Sequence, residues 1–133
     1  AAAATIQQFF ADTGTGPEEC DLILTGDLGQ VGSDLLYELL LRENIDIREK
    51  HTDCGLLIYD RDKQDVHAGA SGCGCCASVL CSYILPAVQA GRLRRLLFIA
   101  TGALLSPTST QQGESIPSVA HLVYITADPA QEV

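Results

Sequence analysis

The sequence contains no methionine and no tryptophan, and aromatic residues make up only 5% of its 133 positions. The core must therefore be aliphatic, built from leucine, isoleucine, valine and alanine. Hydrophobic residues reach 47%, which excludes general disorder and fits one domain with a modest core. The absence of methionine, even at the first position, suggests a processed chain or a piece of a longer one.

Basic residues are also scarce, with 8 against 17 acidic residues and a net charge of −9. A nucleic-acid binder needs a basic face, and only Arg92, Arg94 and Arg95 cluster. We therefore expect no nucleic-acid partner. No apolar run approaches the roughly 20 residues of a membrane-spanning helix, and the alanine-rich start lacks the basic region of a signal peptide. We expect an intracellular chain without a transmembrane segment.

Six cysteines are present, but their spacing does not predict a disulfide framework. Three lie within four residues, and the others occupy apolar or turn contexts typical of buried thiols. The first group comprises Cys73, Cys75 and Cys76, and the second comprises Cys20, Cys54 and Cys81. We expect reduced cysteines in an intracellular setting.

Short apolar runs alternate with helical patterns, which predicts an α/β fold with a mixed sheet covered by helices. We predict strands at 21–25, 93–100 and 118–126, the last two antiparallel. Helices are predicted at 5–11, from Ser33 or Asp34 to about Asn44, and from Cys73 to Gly91 with a kink at Pro86. Residues 45–54 and 106–117 are predicted to be irregular, and 101–103 to form a tight exit from a strand.

The segment 68–77 (AGASGCGCCA) is the candidate chemical site, because a glycine- and cysteine-rich turn here opens a helix. Its CxxC spacing permits a redox dithiol or half a zinc site, but no second ligand pair exists at metal spacing, so we expect no metal. A cysteine nucleophile would need an imidazole; His67 could face the turn, His51 is predicted to be solvated and His121 to lie mid-strand. Tight packing with cysteine as a small hydrophobe is favoured, followed by an anion pocket.

Several glycines follow strands or open helices, where the backbone must turn sharply or approach a ligand. Gly26-x-x-Gly29 and Gly72-x-Gly74 do not have the spacing of a dinucleotide-binding fingerprint. Asp27 has two interpretations. The default is a cap for the following helix, and the alternative is a polar wall of the pocket.

Five segments together closely resemble the stage V sporulation protein AD family: DLILTGDLGQVGS, HTDCGLLIYDRD, AGASGCGC, GRLRRLLFIATGALLSPTS and QQGESIPSVAH. The resemblance runs from about Ala4 to Tyr124. That family is similar to thiolases and β-ketoacyl-carrier-protein synthases, which duplicate an α/β half. The resemblance implies that residues 1–133 form a single thiolase-like C-terminal domain, and that a missing N-terminal half carries the nucleophile-like cysteine.

In active relatives this half supplies a histidine after its first core strand, and a histidine or asparagine in a glycine-rich turn. The matching places here hold Thr25-Gly26-Asp27 and Ser71-Gly72-Cys73, and a third loop corresponds to 101–103. Without an imidazole at the first two places, the resemblance implies a protein that is not an enzyme and needs no cofactor. The candidate ligand-binding residues, by position only, are Ser71, Gly72, Cys73, Thr101 and Asp27.

The family's role implies binding of pyridine-2,6-dicarboxylate (dipicolinate) and support of its uptake into the developing spore, at the inner spore membrane. The implied partners are dipicolinate, other proteins of the SpoVA apparatus and the missing N-terminal half, with a homodimer as a further possibility. Two alternatives stay open. One is an active acyl-transferase or thiolase-type domain using Cys73 or Cys75, and the other is an assembly module that binds only proteins.

Overall fold

A computed structural model describes residues 1–104 and 106–127 as an α/β arrangement of ten α-helices and strands, with one 3₁₀ turn and one π-helical turn. The elements are α1 (Ala2–Thr13), β1 (Leu22–Thr25), α2 (Gly29–Leu41), β2 (His51–Asp53), α3 (Cys54–Leu57), α4 (Cys75–Val79), α5 (Leu85–Gln89), β3 (Arg95–Ala103), α6 (Pro107–Gln111) and β4 (Ser118–Thr126). A 3₁₀ turn at Pro17–Glu19 precedes β1, and a π-helical turn at Leu80–Ile84 joins α4 to α5. The domain predicted over 1–133 thus includes residues 105 and 128–133, which lie outside the described part.

The strands form one mixed sheet in the order β2-β1-β3-β4. β1 is parallel to both of its neighbours, whereas β3 and β4 are antiparallel in an unbroken register from Arg95 opposite Thr126 to Ala103 opposite Ser118. The predicted mixed sheet and the antiparallel final pair are confirmed. This architecture is consistent with the thiolase-like half that the resemblance implies.

Side chains of β1 and β3 alternate between two cores, as expected for strands buried on both faces. Ile23, Leu97 and Ile99 pack on one face against α1 and α2, whereas Leu24 and Leu96 pack on the other face against α3, α4 and α5. Helices therefore cover both faces, as predicted. Among the described helices, none is both long and apolar enough to cross a membrane.

The strand order reverses between β1 and β3. α2, on one face of the sheet, leads from β1 outward to β2. The chain then returns along the opposite face, through α3, α4 and α5, and enters the sheet on the other side of β1 as β3. The connections that follow β1 and β3 run in opposite directions, to β2 and to β4, which opens a crevice at the carboxyl ends of these two strands.

The structure corrects four predicted features of the secondary structure. α2 begins at Gly29, four residues before Ser33, because a carboxylate from β2 supplies the cap. β2 lies in a segment predicted to be irregular, since it is short and polar and is held by its neighbour β1. Residues 101–103 continue β3 instead of leaving it, because β4 pairs with them. Residues 107–111, predicted as loop, form α6.

The helix predicted from Cys73 to Gly91 is divided into three pieces. Its first turn starts at Cys75, and the Leu85 N–H donates to the Leu80 carbonyl in the π-helical turn that precedes Pro86. Proline has no N–H to donate, so the irregularity falls where the helical hydrogen bonding must break. Gly91 ends the helix with φ +70°, as predicted for a glycine C-cap.

Candidate functional site

A cleft of about 540 Å³ lies at the carboxyl ends of β1 and β3. Its walls come from the start of α1, the turn after β1, the cysteine-rich turn that opens α4, the end of β3 and the start of β4. All five residues proposed from the sequence line it: Asp27, Ser71, Gly72, Cys73 and Thr101. The three loops that the resemblance singled out therefore meet at one place, which is the crevice where the strand order reverses.

The side chain of Asp27 joins these loops. Its Oδ2 accepts hydrogen bonds from the Ser71 hydroxyl and from the Gly72 N–H, both at 2.9 Å, and its Oδ1 accepts one from the Thr101 hydroxyl at 3.0 Å. α2 has no side-chain cap of its own. The default interpretation of Asp27 as a helix cap is therefore wrong, and the alternative, a polar wall of the pocket, is confirmed.

Gly26 allows the turn after β1 to lie directly against β3. A Cβ atom at this position would stand 2.8 Å from both the backbone nitrogen and the Oγ1 of Thr101, and 3.5 Å from the Cβ of Cys76. Real Cβ atoms are not found at such distances from backbone, so any side chain here would push the two walls apart. Gly26 is required for the close approach that forms the Asp27–Thr101 contact.

A buried polar network lies behind the cleft. The Thr25 hydroxyl donates to Asp53 Oδ2 at 2.6 Å and lies 2.9 Å from His51 Nε2, while Tyr37 Oη lies 2.8 Å from His51 Nδ1. The one proton of the Thr25 hydroxyl goes to Asp53, so this hydroxyl accepts from Nε2–H. Burial lowers the pKa of His51 to about 4, so the ring is neutral at pH 7 and its unprotonated Nδ1 accepts from the Tyr37 hydroxyl. The prediction that His51 is solvated is wrong.

Asp53 is a capping residue that sequence analysis did not identify. Its carboxylate accepts hydrogen bonds from the N–H groups of Leu28, Gly29 and Gly55. The first two lie at the start of α2 and the third at the start of α3, so one buried side chain caps two helices. This arrangement fixes the turn that carries Asp27. The sequence shows only the local cap of α3, because Asp53 lies two residues before Gly55.

The cysteines fall into two groups. Cys54 and Cys75 are buried, and burial raises the pKa of Cys54 to about 12 and also raises that of Cys75. Cys73 is exposed, Cys76 is partly exposed, and both line the cleft. Cys20 is buried as predicted, whereas Cys81 is exposed, so its prediction as a buried thiol is wrong. All six are free.

No histidine of the described residues lines the cleft. His67 is exposed and lies outside the cleft with φ +47°, so the expectation that it faces the pocket is wrong. His121 lies within β4, as predicted, and is exposed. Across residues 1–104 and 106–127, no group of three potential ligands is placed to hold a metal ion. The cleft offers hydroxyl and N–H donors, one carboxylate and two thiols.

The fold and the cleft define an α/β domain with a ligand-sized crevice at the reversal of its strand order. The chain belongs to the stage V sporulation protein AD family, whose model matches residues 1–126. It is 50% identical over 121 residues to stage V sporulation protein AD of Bacillus subtilis strain 168, a match that covers 91% of this chain and 36% of that protein. The chain therefore belongs to a family of sporulation proteins, and it spans about a third of the length of this relative.

Proposed function

We propose that the chain is a non-enzymatic domain that binds dipicolinate in the cleft and supports its uptake into the forespore within the SpoVA apparatus. Membership of a sporulation protein family supports the physiological setting. The observation that carries the ligand class is the environment of Asp27: a backbone N–H and two hydroxyls from separate loops converge on a carboxylate. A donor set that holds one carboxylate is suited to holding another.

The proposed binding is a competition between the ligand and Asp27. A ligand carboxylate takes the Ser71, Gly72 and Thr101 donors when the Asp27 side chain turns away, and backbone and hydroxyl donors can hold an anion without a basic residue. Leu28 and Val119 line the same cleft and offer apolar contact to an aromatic ring. The volume of about 540 Å³ is in the range of small-molecule sites. The net charge of −9 opposes a dianion, so affinity depends on this local arrangement.

The absence of catalysis is supported by the chemistry around the cleft. Acyl transfer needs a reactive thiol with a base beside it and a donor for the oxyanion. Both nitrogens of His51 are engaged with Thr25 and Tyr37 behind the site, and Cys75 is buried with a raised pKa. These features favour a thiolase-like fold that binds without reacting.

The proposed partners follow from the length of the chain relative to its family. We propose that the rest of a longer, two-half protein packs on exposed apolar side chains of this domain, such as Leu57 and Tyr83, which flank a groove between α3 and the helix that follows α4. Other SpoVA proteins then bind the assembled protein at the inner spore membrane. A homodimer, in which a second copy covers the groove, is the alternative outcome of a measurement of oligomeric state.

The test is a calorimetric titration with dipicolinate, using this chain together with the part of the Bacillus subtilis relative that it does not span. Saturable binding, weakened when pyridine-2-carboxylate replaces the dicarboxylate, is expected. No saturable binding by the assembled protein would overturn the proposal.

A second experiment tests the enzymatic alternative. The protein is incubated with acyl-thioesters and examined by mass spectrometry, and an adduct on Cys73 or Cys75 that turns over would favour an acyl-transferase.

A further inference from the structure

We propose that Cys73 and Cys76 are a redox-active pair that forms a reversible disulfide in the wall of the cleft. They are the two cysteines that line the cleft, and neither is buried. Neither the sporulation role nor the dipicolinate proposal uses them. The inference is independent of the ligand that the cleft binds.

The backbone places the two residues in one helical turn. The Cys75 N–H donates to the Gly72 carbonyl at 3.0 Å, Gly74 has helical φ −95° and ψ −11°, and the Ser78 N–H donates to the Gly74 carbonyl at 3.0 Å. The segment from 73 to 76 is therefore a helical turn, in which residues three apart lie on one face with Cβ atoms about 5–6 Å apart. A disulfide requires Cβ atoms about 3.5–4.5 Å apart, so oxidation must draw the two side chains about 1–2 Å closer within the turn.

Cys75, which lies between these two cysteines in the sequence, is buried in the core. Cys75 packs into the core with Leu24 and Cys54, and burial raises the pKa of both thiols. A thiol held protonated in the core is a poor nucleophile. Cys75 is thereby excluded from the pair, and the exposed Cys81 lies outside the cleft.

The reaction requires an oxidant, which we assign to the class of low-molecular-weight disulfides. The Cys73 thiolate attacks one sulfur of the small disulfide, forms a mixed disulfide and releases one thiol. The Cys76 thiolate then attacks Cys73 Sγ, forms the internal S–S bond and releases the second thiol. The protein loses two protons and two electrons, and the small disulfide gains both. The product cross-links the turn that presents the Ser71 and Gly72 donors to Asp27.

The test is oxidation of the folded chain with oxidised glutathione, followed by intact-mass measurement. A mass loss of about 2 Da, for the two hydrogen atoms removed, and its reversal by dithiothreitol are expected. The loss should disappear in C73S and in C76S and persist in C75A and in C81S, which removes an exposed cysteine outside the cleft. Circular dichroism establishes that each variant is folded.

Three results would overturn the inference. They are a protein that shows no loss of mass, a loss that persists in folded C73S or C76S, and oxidation that yields only glutathione adducts or linked dimers. If C76S misfolds, the unaltered protein can be alkylated with iodoacetamide before and after oxidation. Fragmentation of the labelled peptide then shows which cysteines the oxidation has protected. Simultaneous protection of residues 73 and 76, with 81 remaining labelled, is then expected.

Discussion

Asp27 and Thr101 exchange two hydrogen bonds across the junction of β1 and β3. The Asp27 N–H donates to Thr101 Oγ1 at 2.9 Å, and the Thr101 hydroxyl donates to Asp27 Oδ1 at 3.0 Å. The residues are 74 positions apart in the chain and meet because β1 and β3 are parallel neighbours. This contact holds together the two walls of the cleft.

Replacing Gly26 with alanine should force the two walls apart. The new Cβ would meet the backbone of Thr101 at 2.8 Å, and backbone cannot move aside as a flexible side chain can. We expect a loss of about 2 kcal/mol in the free energy of unfolding, measured by urea denaturation. Gly74→Ala is the matched control, since it has a negative φ and no atom within 4 Å of the added Cβ. Equal stability of the two variants would contradict the role given to Gly26.

Removing the Asp53 carboxylate should leave buried N–H groups at the starts of α2 and α3 without an acceptor. Asp53→Ala is expected to lower the free energy of unfolding by about 3 kcal/mol, because unsatisfied buried donors retain their full desolvation cost. The measurement is again urea denaturation. Asp46→Ala, which removes an exposed carboxylate paired with Arg48, should change stability little. An Asp53 variant as stable as the Asp46 variant would contradict the double cap.

Helices and strands whose signal is local could be predicted from the sequence. Those whose bounds depend on residues distant in the chain could not. The apolar runs of β1 and β4 and the glycine at 91 predicted their elements correctly. The start of α2 was missed because its cap, Asp53, comes from another strand. β2 was missed because its polar residues are stabilised by burial against Thr25 and Tyr37, which no hydrophobic pattern reveals.

The candidate site was predicted better than its internal bonding. The positions of the glycine-containing loops, together with the resemblance, brought all five candidates to one cleft. The sequence could not show that Asp27 faces Ser71 and Thr101, because capping and cleft-lining aspartates look alike in a sequence. The His51 network was missed altogether, since its hydrogen-bonded partners are separated by 14 to 28 residues.

Stability should fall with acid because His51 is buried in its neutral form. Its pKa is about 4 in the folded chain against 6.5 when unfolded, so below pH 6.5 the unfolded chain binds the extra proton. The contribution is complete above pH 6.5, decreases as the pH falls towards 4, and amounts to about 3 kcal/mol in total. Urea denaturation from pH 7 to pH 4 measures it.

Carboxylates also titrate in this range, so the comparison between variants is decisive. His51→Gln should show a shallower loss of stability with acid than the unaltered chain, whereas the exposed His67→Gln should follow the unaltered chain. An NMR titration of the His51 ring gives the same quantity directly. A ring that titrates near 6.5 would contradict the buried, neutral assignment.

Dipicolinate binding should respond in opposite directions to changes at Asp27 and at its donors. Asp27→Asn removes a charge that repels the dianion, worth about 1 kcal/mol, so we expect Kd to fall about fivefold. The Ser71→Ala, Thr101→Ala double variant removes two donors and should raise Kd. Calorimetry on the assembled protein checks both, with Asp34→Asn, an exposed helical carboxylate outside the cleft, as the control. Weaker binding by Asp27→Asn would contradict the proposed competition.

The most direct measurement is an NMR titration of the isotopically labelled chain with dipicolinate, within the assembled protein. We expect saturable shifts of the Gly72 amide signal and of the Thr101 signals, because these groups would exchange the Asp27 carboxylate for that of the ligand. The Asp27 amide signal should shift with them, since this N–H donates to Thr101 Oγ1. Signals from the separate surface cleft beside Arg48 and Lys50 should not move. Saturable shifts at Arg48 and Lys50, with Gly72 and Thr101 unchanged, would contradict the account.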